Sequence, residues 1–507
     1  MNLIKNGLMA GLWKMAIIVF GFVTRKVLYI YLIPEYVGVS TALEAILGAL
    51  SLADLGFTSA VAYQLYKPLQ QNNQEMVLKI MKVYKMLYRL VAAFIFVGGL
   101  ALTPLIPYLI KDTSFTSKEI FAIYFIHILR TTSSYLLSYK RVLLYAGQSS
   151  YLYFTVDMFA VIAGSLLQIA SLVVFKNYYV YLLVSLLQII MGNIIVLVIA
   201  DKKYPELRKS VSLDRNVIKI LWGDIRQIVV TRISSYIYSS ADDVIISAML
   251  GALPVALLSN YKQICSKVGS LISQLFSQII PTIGNMEVHE DQKKRSISLY
   301  YTTMYFRYIV TSLFIVEWVP LATPFVQIVF GEQFVLGFPT VLLLTMIQYN
   351  GLVATGPIFN YLEAKGEFYA LRSISVVQAV LNIVLSVAMV LGIGLNGVLV
   401  GTVLSDWAAF LTGAKICAFI APENIRMHVC KQLITQVKYL SLLAAEVAVV
   451  IILNKVVSGG SFLIQMLFDL IIGLTVIAMG NWLCYGKTDE FKTILNILGH
   501  FCRKQSV

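Results

Sequence analysis

Charge is scarce in this chain of 507 residues. Asp, Glu, Lys and Arg together make up 13% of it, against about 25% in a soluble globular domain. Hydrophobic residues make up 59%, and the mean hydropathy is +0.79. An ordinary water-soluble globule is excluded, and so is intrinsic disorder, which needs low hydrophobicity and high charge. Cysteine is scarce too. Cys265, Cys417, Cys430, Cys484 and Cys502 form no CxxC and are odd in number, so no complete disulfide framework fits. The four histidines, His127, His289, His428 and His500, are scattered without metal spacing, which excludes a zinc-finger pattern. No glycine-rich phosphate loop and no nucleophile elbow occurs. Segments between apolar runs are too short to build an external catalytic lobe. The expectation is therefore no enzyme, no metal and no bound cofactor.

What is present is apolar sequence in long runs. Outer-membrane strands alternate polar and apolar residues over about ten positions, whereas these runs are far longer. The expected class is an all-α polytopic membrane protein, since a span needs about 20 mostly apolar residues. The runs give 14 helices, over 8–32, 36–65, 86–110, 118–140, 149–174, 178–200, 218–250, 255–284, 298–330, 335–362, 368–393, 396–420, 432–454 and 461–485. The first carries Lys5 and Lys14 ahead of it and Arg25 and Lys26 within it. It is too long and wrongly flanked for a cleaved signal peptide, and reads as a spanning helix.

Lys and Arg total 40 against 26 Asp and Glu, a net charge of +14. In a membrane protein this excess reads as the positive-inside bias rather than as a nucleic-acid surface. One set of connections holds Lys67, Lys79, Lys82, Lys85, Arg89, Lys140, Arg141, Lys202, Lys203, Arg208 and Lys209, and the tail adds Lys487, Lys492, Arg503 and Lys504. The opposite set holds Lys111, Lys118, Lys176 and Lys455. The asymmetry puts both termini on the cytoplasmic side.

The chain also repeats itself at an offset of about 219. Leu102-Thr103-Pro104 falls on Ala322-Thr323-Pro324, Arg89 on Arg307, and Ala146-Gly147-Gln148 on Lys365-Gly366-Glu367. The expected organisation is an N-terminal six-helix lobe over 1–200, a cytoplasmic linker over 201–217 and a C-terminal six-helix lobe over 218–420. Two additional helices and a cytoplasmic tail follow over 421–507. An even number of spans per copy gives both lobes one orientation, as in parallel-repeat transporters with a site near the bilayer midplane.

Ionisable groups at bilayer depth cost several kcal/mol and usually face a cavity or a partner. The repeat matches Arg25 with Asp243 and Glu44 with Lys262, each nine or ten residues from an outer turn, which is about 14 Å deep. Two readings stay open. The groups form ion pairs inside each lobe, Arg25–Glu44 and Asp243–Lys262, or they line a central cavity. Lys26, Asp242 and Lys267 are further cavity candidates. Ser259, Lys262, Ser266, Gly269 and Ser273 share one helix face, beside a strip with Asn260, Gln263, Lys267, Ser270 and Gln274. Ser40, Glu44 and Gly48 line the second helix. Arg130, Arg232, Asn260, Gln263 and Asp406 are weaker cavity candidates. Glu317 and Asp157 read as local structural partners.

Taken together, two six-helix lobes, two extra helices, the stretch Leu52-Ala53-Asp54-Leu55-Gly56-Phe57-Thr58-Ser59-Ala60-Val61 and the stretch Ala241-Asp242-Asp243-Val244-Ile245-Ile246 leading to Ser259-Asn260-Tyr261 carry a resemblance. The chain resembles the multidrug/oligosaccharidyl-lipid/polysaccharide (MOP) exporter superfamily and, within it, the Wzx-type bacterial polysaccharide flippases. The resemblance implies alternating-access translocation of polyprenyl-pyrophosphate-linked oligosaccharide across the bacterial cytoplasmic (inner) membrane, for O-antigen, capsule or exopolysaccharide assembly. It implies a lipid-linked oligosaccharide substrate, contact with membrane lipid, a polysaccharide polymerase and a chain-length regulator as partners, and no nucleic acid. Arg25, Lys26, Lys262 and Lys267 are the groups it would set against pyrophosphate, while Glu44 and Asp243 leave room for coupling to a proton or sodium gradient. A lipid II-type flippase and a cation-coupled drug antiporter of the same superfamily are the alternatives, and a membrane glycan polymerase is the rival from another class. Drug antiporters usually carry an acid in helix 1. This chain has Arg25 and Lys26 there instead.

Overall fold

A computed structural model of the chain describes residues 2–50, 57–110, 114–147, 149–205, 215–277, 293–420, 429–457 and 462–495. The stretch 52–56 of the resemblance, most of the expected linker, and Cys502 with the rest of the tail lie outside these residues. Among the described residues the fold is all helix and no strand. That is the solution hydrocarbon imposes, since only a helix or a closed barrel satisfies every backbone N–H and C=O without water.

The helices are α1 (Asn2–Tyr31), α2 (Glu35–Leu50), α3 (Phe57–Gln70), α4 (Gln74–Leu102), α5 (Ile106–Leu109), α6 (Ser117–Ser138), α7 (Arg141–Ala146), α8 (Ser150–Phe175) and α9 (Tyr178–Lys203). They continue with α10 (Arg215–Leu250), α11 (Ala252–Ser277), α12 (Lys293–Phe330), α13 (Phe338–Tyr349), α14 (Gly356–Ala364), α15 (Phe368–Ile420), α16 (Val429–Val457) and α17 (Phe462–Tyr485). Among the described residues nine helical stretches are long and apolar enough to cross a membrane. The chain is a multi-pass membrane protein.

Local sequence explains several ends. Thr116 and Glu119 form a reciprocal capping box that opens α6. Asn177 accepts from the backbone N–H groups of Tyr179 and Val180 and opens α9. A single run, α15, contains two of the expected spans. It breaks at Ile393 and at Gly394, whose φ of +59° and ψ of −136° suit glycine alone. The two arms of α15 are then zipped by a polar ladder. Gln378 Nε2 donates to Asp406 Oδ1 at 2.8 Å, Asn382 Nδ2 to Thr402 Oγ1 at 2.9 Å, and Ser386 Oγ to the Val398 carbonyl at 3.1 Å. Each rung is four residues from the next on both arms, which is one helical turn.

One pair of helix ends keeps the offset of the sequence repeat: α1 ends at 31 and α10 at 250, 219 residues apart. The chain divides into two compact units, Met1–Ala256 and Leu257–Val507. In the first, α10 packs along α2, and Val37, Leu43, Leu47, Tyr124, Ala252 and Ala256 share one core. In the second, α12 is wrapped by α16 and α17, with a core rich in tyrosine: Tyr300, Tyr305, Tyr308, Tyr349, Tyr361 and Tyr439 are all buried. Stacking joins Tyr308 to Tyr439 at 4.5 Å between ring centroids.

Candidate functional site

The first unit gathers a line of polar groups on α2, α6 and α9. Ser40 and Glu44 are four residues apart on α2, and His127 and Arg130 are three apart on α6, so each pair lies on one helix face. The hydroxyls of Tyr178 and Ser40 are hydrogen-bonded at 2.5 Å. His127 Nε2 is 3.1 Å from Ser40 Oγ, and its Nδ1 is 3.6 Å from Glu44 Oε1. Arg130 Nη1 donates to the same Glu44 oxygen at 2.5 Å. Burial grades along the line. Tyr178 and His127 are 3% and 2% exposed, whereas the side chains of Arg130 and Glu44 are 33% and 51% exposed. A buried hydroxyl–imidazole chain thus ends in an ion pair that is open to its surroundings. An ion pair at such a position can exchange partners with a charged ligand without unpacking the core.

Further charges surround this line. Arg25 on α1 is half-buried and within Coulombic reach of Glu44 and Tyr181. Lys26 is exposed. On α10, Asp242 is buried and Asp243 half-buried. Tyr236 of the same helix lies between α10 and α2, donating its hydroxyl to the Ala45 carbonyl at 2.8 Å, and it feels both Glu44 and Asp243 electrostatically. Its ring occupies the space a side chain at position 48 would fill, which is why Gly48 stands there. Arg25, Glu44, Arg130 and Asp243 therefore belong to one electrostatic neighbourhood. Arg232 lies on α10 among residues whose side chains are not described.

The other candidates lie in the second unit. Lys262, Gln263 and Lys267 are half-buried on α11, and Asn260 is fully buried. Ser266 and Ser270 turn their hydroxyls to the carbonyls of Gln263 and Lys267, at 3.1 and 2.8 Å. Asp406 is buried in the α15 ladder and holds Gln378, a structural post. Asp157 also has a structural partner. Arg141 grips it through two bonds, 2.6 and 2.7 Å, and bonds Asn193 as well. That clasp ties α7 to α8 and α9.

His127 and Tyr178 escaped the sequence reading. Scattered histidines carry no spacing signal. The one available hint was the i, i+3 placement of His127 and Arg130 in an otherwise apolar helix.

No protein family matches the chain, and no curated protein matches it in sequence. Solved structures do match in fold. One is the lipid II flippase MurJ in an inward-closed conformation, with 14% identity, a TM-score of 0.63, and coverage of 96% of this chain and 98% of that one. Another is an inward-facing multidrug resistance MATE family transporter of the MOP superfamily, with 13% identity, a TM-score of 0.61, and coverage of 77% and 92%. A mutant of the Vibrio cholerae MATE transporter VcmN matches with 13% identity and a TM-score of 0.52, over 82% of this chain and 96% of that one. At such identities the likeness concerns the fold.

Proposed function

We propose that the chain is a flippase of the MOP type, which moves a polyprenyl-pyrophosphate-linked oligosaccharide across the bacterial cytoplasmic membrane by alternating access, for surface polysaccharide assembly. The observation that favours a flippase over a drug antiporter, without choosing its substrate, is the extent of the structural match. The lipid II flippase covers 96% of the chain, while the MATE transporters cover 77% and 82%. The open charged line in the first unit supports it. Arg130, Arg25 and Lys26 supply cations for a diphosphate, with guanidinium suited to bidentate contact. Lys262 and Lys267 serve the same role in the second unit. Binding and release would work by exchange of Glu44 for the incoming phosphate on Arg130. In this reading both termini are cytoplasmic, the chain makes and breaks no covalent bond, a proton or sodium gradient supplies the energy, and a polymerase and a chain-length regulator take up the product.

A lipid II-type substrate is the second reading, favoured by the full-length match to MurJ. The test uses the purified full chain in proteoliposomes. Fluorescent polyprenyl-diphosphate oligosaccharide and lipid II are loaded separately, and exposure of the sugar on the far side is followed with an impermeant lectin or quencher. Exposure of the oligosaccharide carrier well above protein-free vesicles supports the flippase. Faster movement of lipid II moves the chain to the second reading. Movement of neither, with export of a cationic dye against a proton gradient, makes it a drug antiporter.

A further inference from the structure

The two C-terminal helices bury three carboxyls against α12. Glu446 of α16 and Asp469 of α17 are each 2% exposed. Glu446 is satisfied. Tyr308 donates to its Oε2 at 3.3 Å and Asn481 to its Oε1 at 3.4 Å, and Tyr305 donates to Asn481 in turn at 3.0 Å. Glu317 of α12 is different. Both of its carboxyl oxygens are sealed from solvent and lack a hydrogen-bond partner among the described residues, and Asp469 Oδ2 is in the same position. Asp469 lies within Coulombic reach of Glu317. Helix α17 is shaped to receive these acids. Asp469, Gly473 and Gly480 lie along one face, the Glu317 carboxyl occupies the space a Cβ at 473 would need, and that of Glu446 the space at 480.

Among the described residues no cation acts on Glu317, and Asp469 is its charged neighbour. The titratable tyrosines of this seam, Tyr305 and Tyr308 on α12, Tyr439 on α16 and Tyr485 on α17, cluster around Glu446 rather than around the pair. Arg307, ten residues before Glu317 on α12, donates to the Leu352 carbonyl at 3.0 Å and covers the Phe276 ring. On α16, Lys431 lies over the Tyr301 ring. Two ionised carboxylates sealed together in a membrane helix bundle would cost several kcal/mol each. Calcium or magnesium would need about six oxygen ligands and zinc about four ligands, and among the described residues no group of three His, Cys, Asp or Glu is placed to hold a metal ion.

We infer that Glu317 and Asp469 form a proton-binding site, with one proton held between the two carboxyls at the seam where α17 meets α12. With the proton bound, the pair carries a single negative charge and one carboxyl can donate to the other. Release of the proton leaves two like charges facing one another across Gly473 and loosens the seam. The C-terminal hairpin is then a proton-sensitive element, whatever substrate the chain carries.

Infrared spectroscopy of the full chain in lipid nanodiscs tests this. The wild type is expected to show the carbonyl stretch of a protonated carboxyl at neutral pH, and to lose it only at alkaline pH. In Glu317→Gln and in Asp469→Asn the band is expected to shift, because the partner becomes an amide. In the double variant the band is lost, while Glu446→Gln leaves the Glu317–Asp469 band in place. The amides are close to isosteric, so at least the single variants should insert. Absence of the band at neutral pH overturns the inference, as does a band unmoved by either single variant. A band that follows sodium concentration at fixed pH also overturns it, because the site would then hold a metal cation.

Discussion

Arg130 and Glu44 are 86 residues apart in the chain and meet at 2.5 Å, joining α6 to α2 beside a buried histidine. Charge reversal at either residue leaves two like charges in contact. Arg130→Glu and Glu44→Arg are each expected to cut substrate movement about tenfold or more, the equivalent of about 1.4 kcal/mol. The double exchange should recover more activity than either single variant if the pair is a unit that must form and break. Protein level and insertion serve as controls, and equal loss in the exchange would show that the two act separately.

A second expectation concerns the clasp at Arg141. Its guanidinium meets Asp157 through two nitrogens and Asn193 through two. Lysine cannot reproduce that fork. Both Arg141→Lys and Asp157→Asn should lower stability by about 1–3 kcal/mol. Replacing both partners with apolar residues, Arg141→Met with Asp157→Leu, should return most of the loss, because no charge is left alone. Melting can be followed with a thiol-reactive dye, since Cys265 and Cys417 are buried and label only on unfolding once Cys430, Cys484 and Cys502 are changed to serine. A double variant as unstable as the singles would remove this account of the clasp.

These two pairs show what a sequence can and cannot disclose. The spans were legible because hydrocarbon enforces length. The helix expected over 178–200 is found at Tyr178–Lys203, and the one expected to end at 485 ends at Tyr485. The break between 393 and 396 was legible because Gly394 and Gly397 bracket a turn. Helix α4, expected from 86, begins at Gln74, because Glu75, Lys79, Lys82 and Lys85 interrupt the apolar residues of its first three turns. The six-residue π-helical stretch Asn350–Thr355 between α13 and α14 had no signal at all. Individual charges were visible as charges. Their partners were not, since Glu44 with Arg130, and His127 with Ser40, are contacts across 86 and 87 residues that only the packing of α2 on α6 creates.

Charge on α1 and α11 gives a third prediction. Arg25→Glu and Lys262→Glu should each abolish export in a flippase-deficient strain while leaving insertion intact. Both side chains are half-buried, and each would trade a cation for a group that repels diphosphate. Normal surface glycan at normal protein level, in either strain, would take that residue out of the substrate path.

The turn inside α15 separates backbone geometry from packing. Around Gly394 and Gly392 alike an added methyl would meet nothing within 4 Å. Gly394 has φ of +59° and Gly392 is helical. Sterics of neighbours therefore cannot distinguish the two positions, and any difference must come from the chain itself. Gly394→Ala should cost about 1–3 kcal/mol, the strain of an L-residue in that region. Gly392→Ala should be neutral or stabilise by up to about 1 kcal/mol, the gain in helix propensity. The same thiol-dye melt reads both, with the polar ladder of Asn382 and Thr402 unchanged in each. If Gly394→Ala melts no lower than Gly392→Ala, the arms of α15 are held by the ladder alone and the turn residue is dispensable.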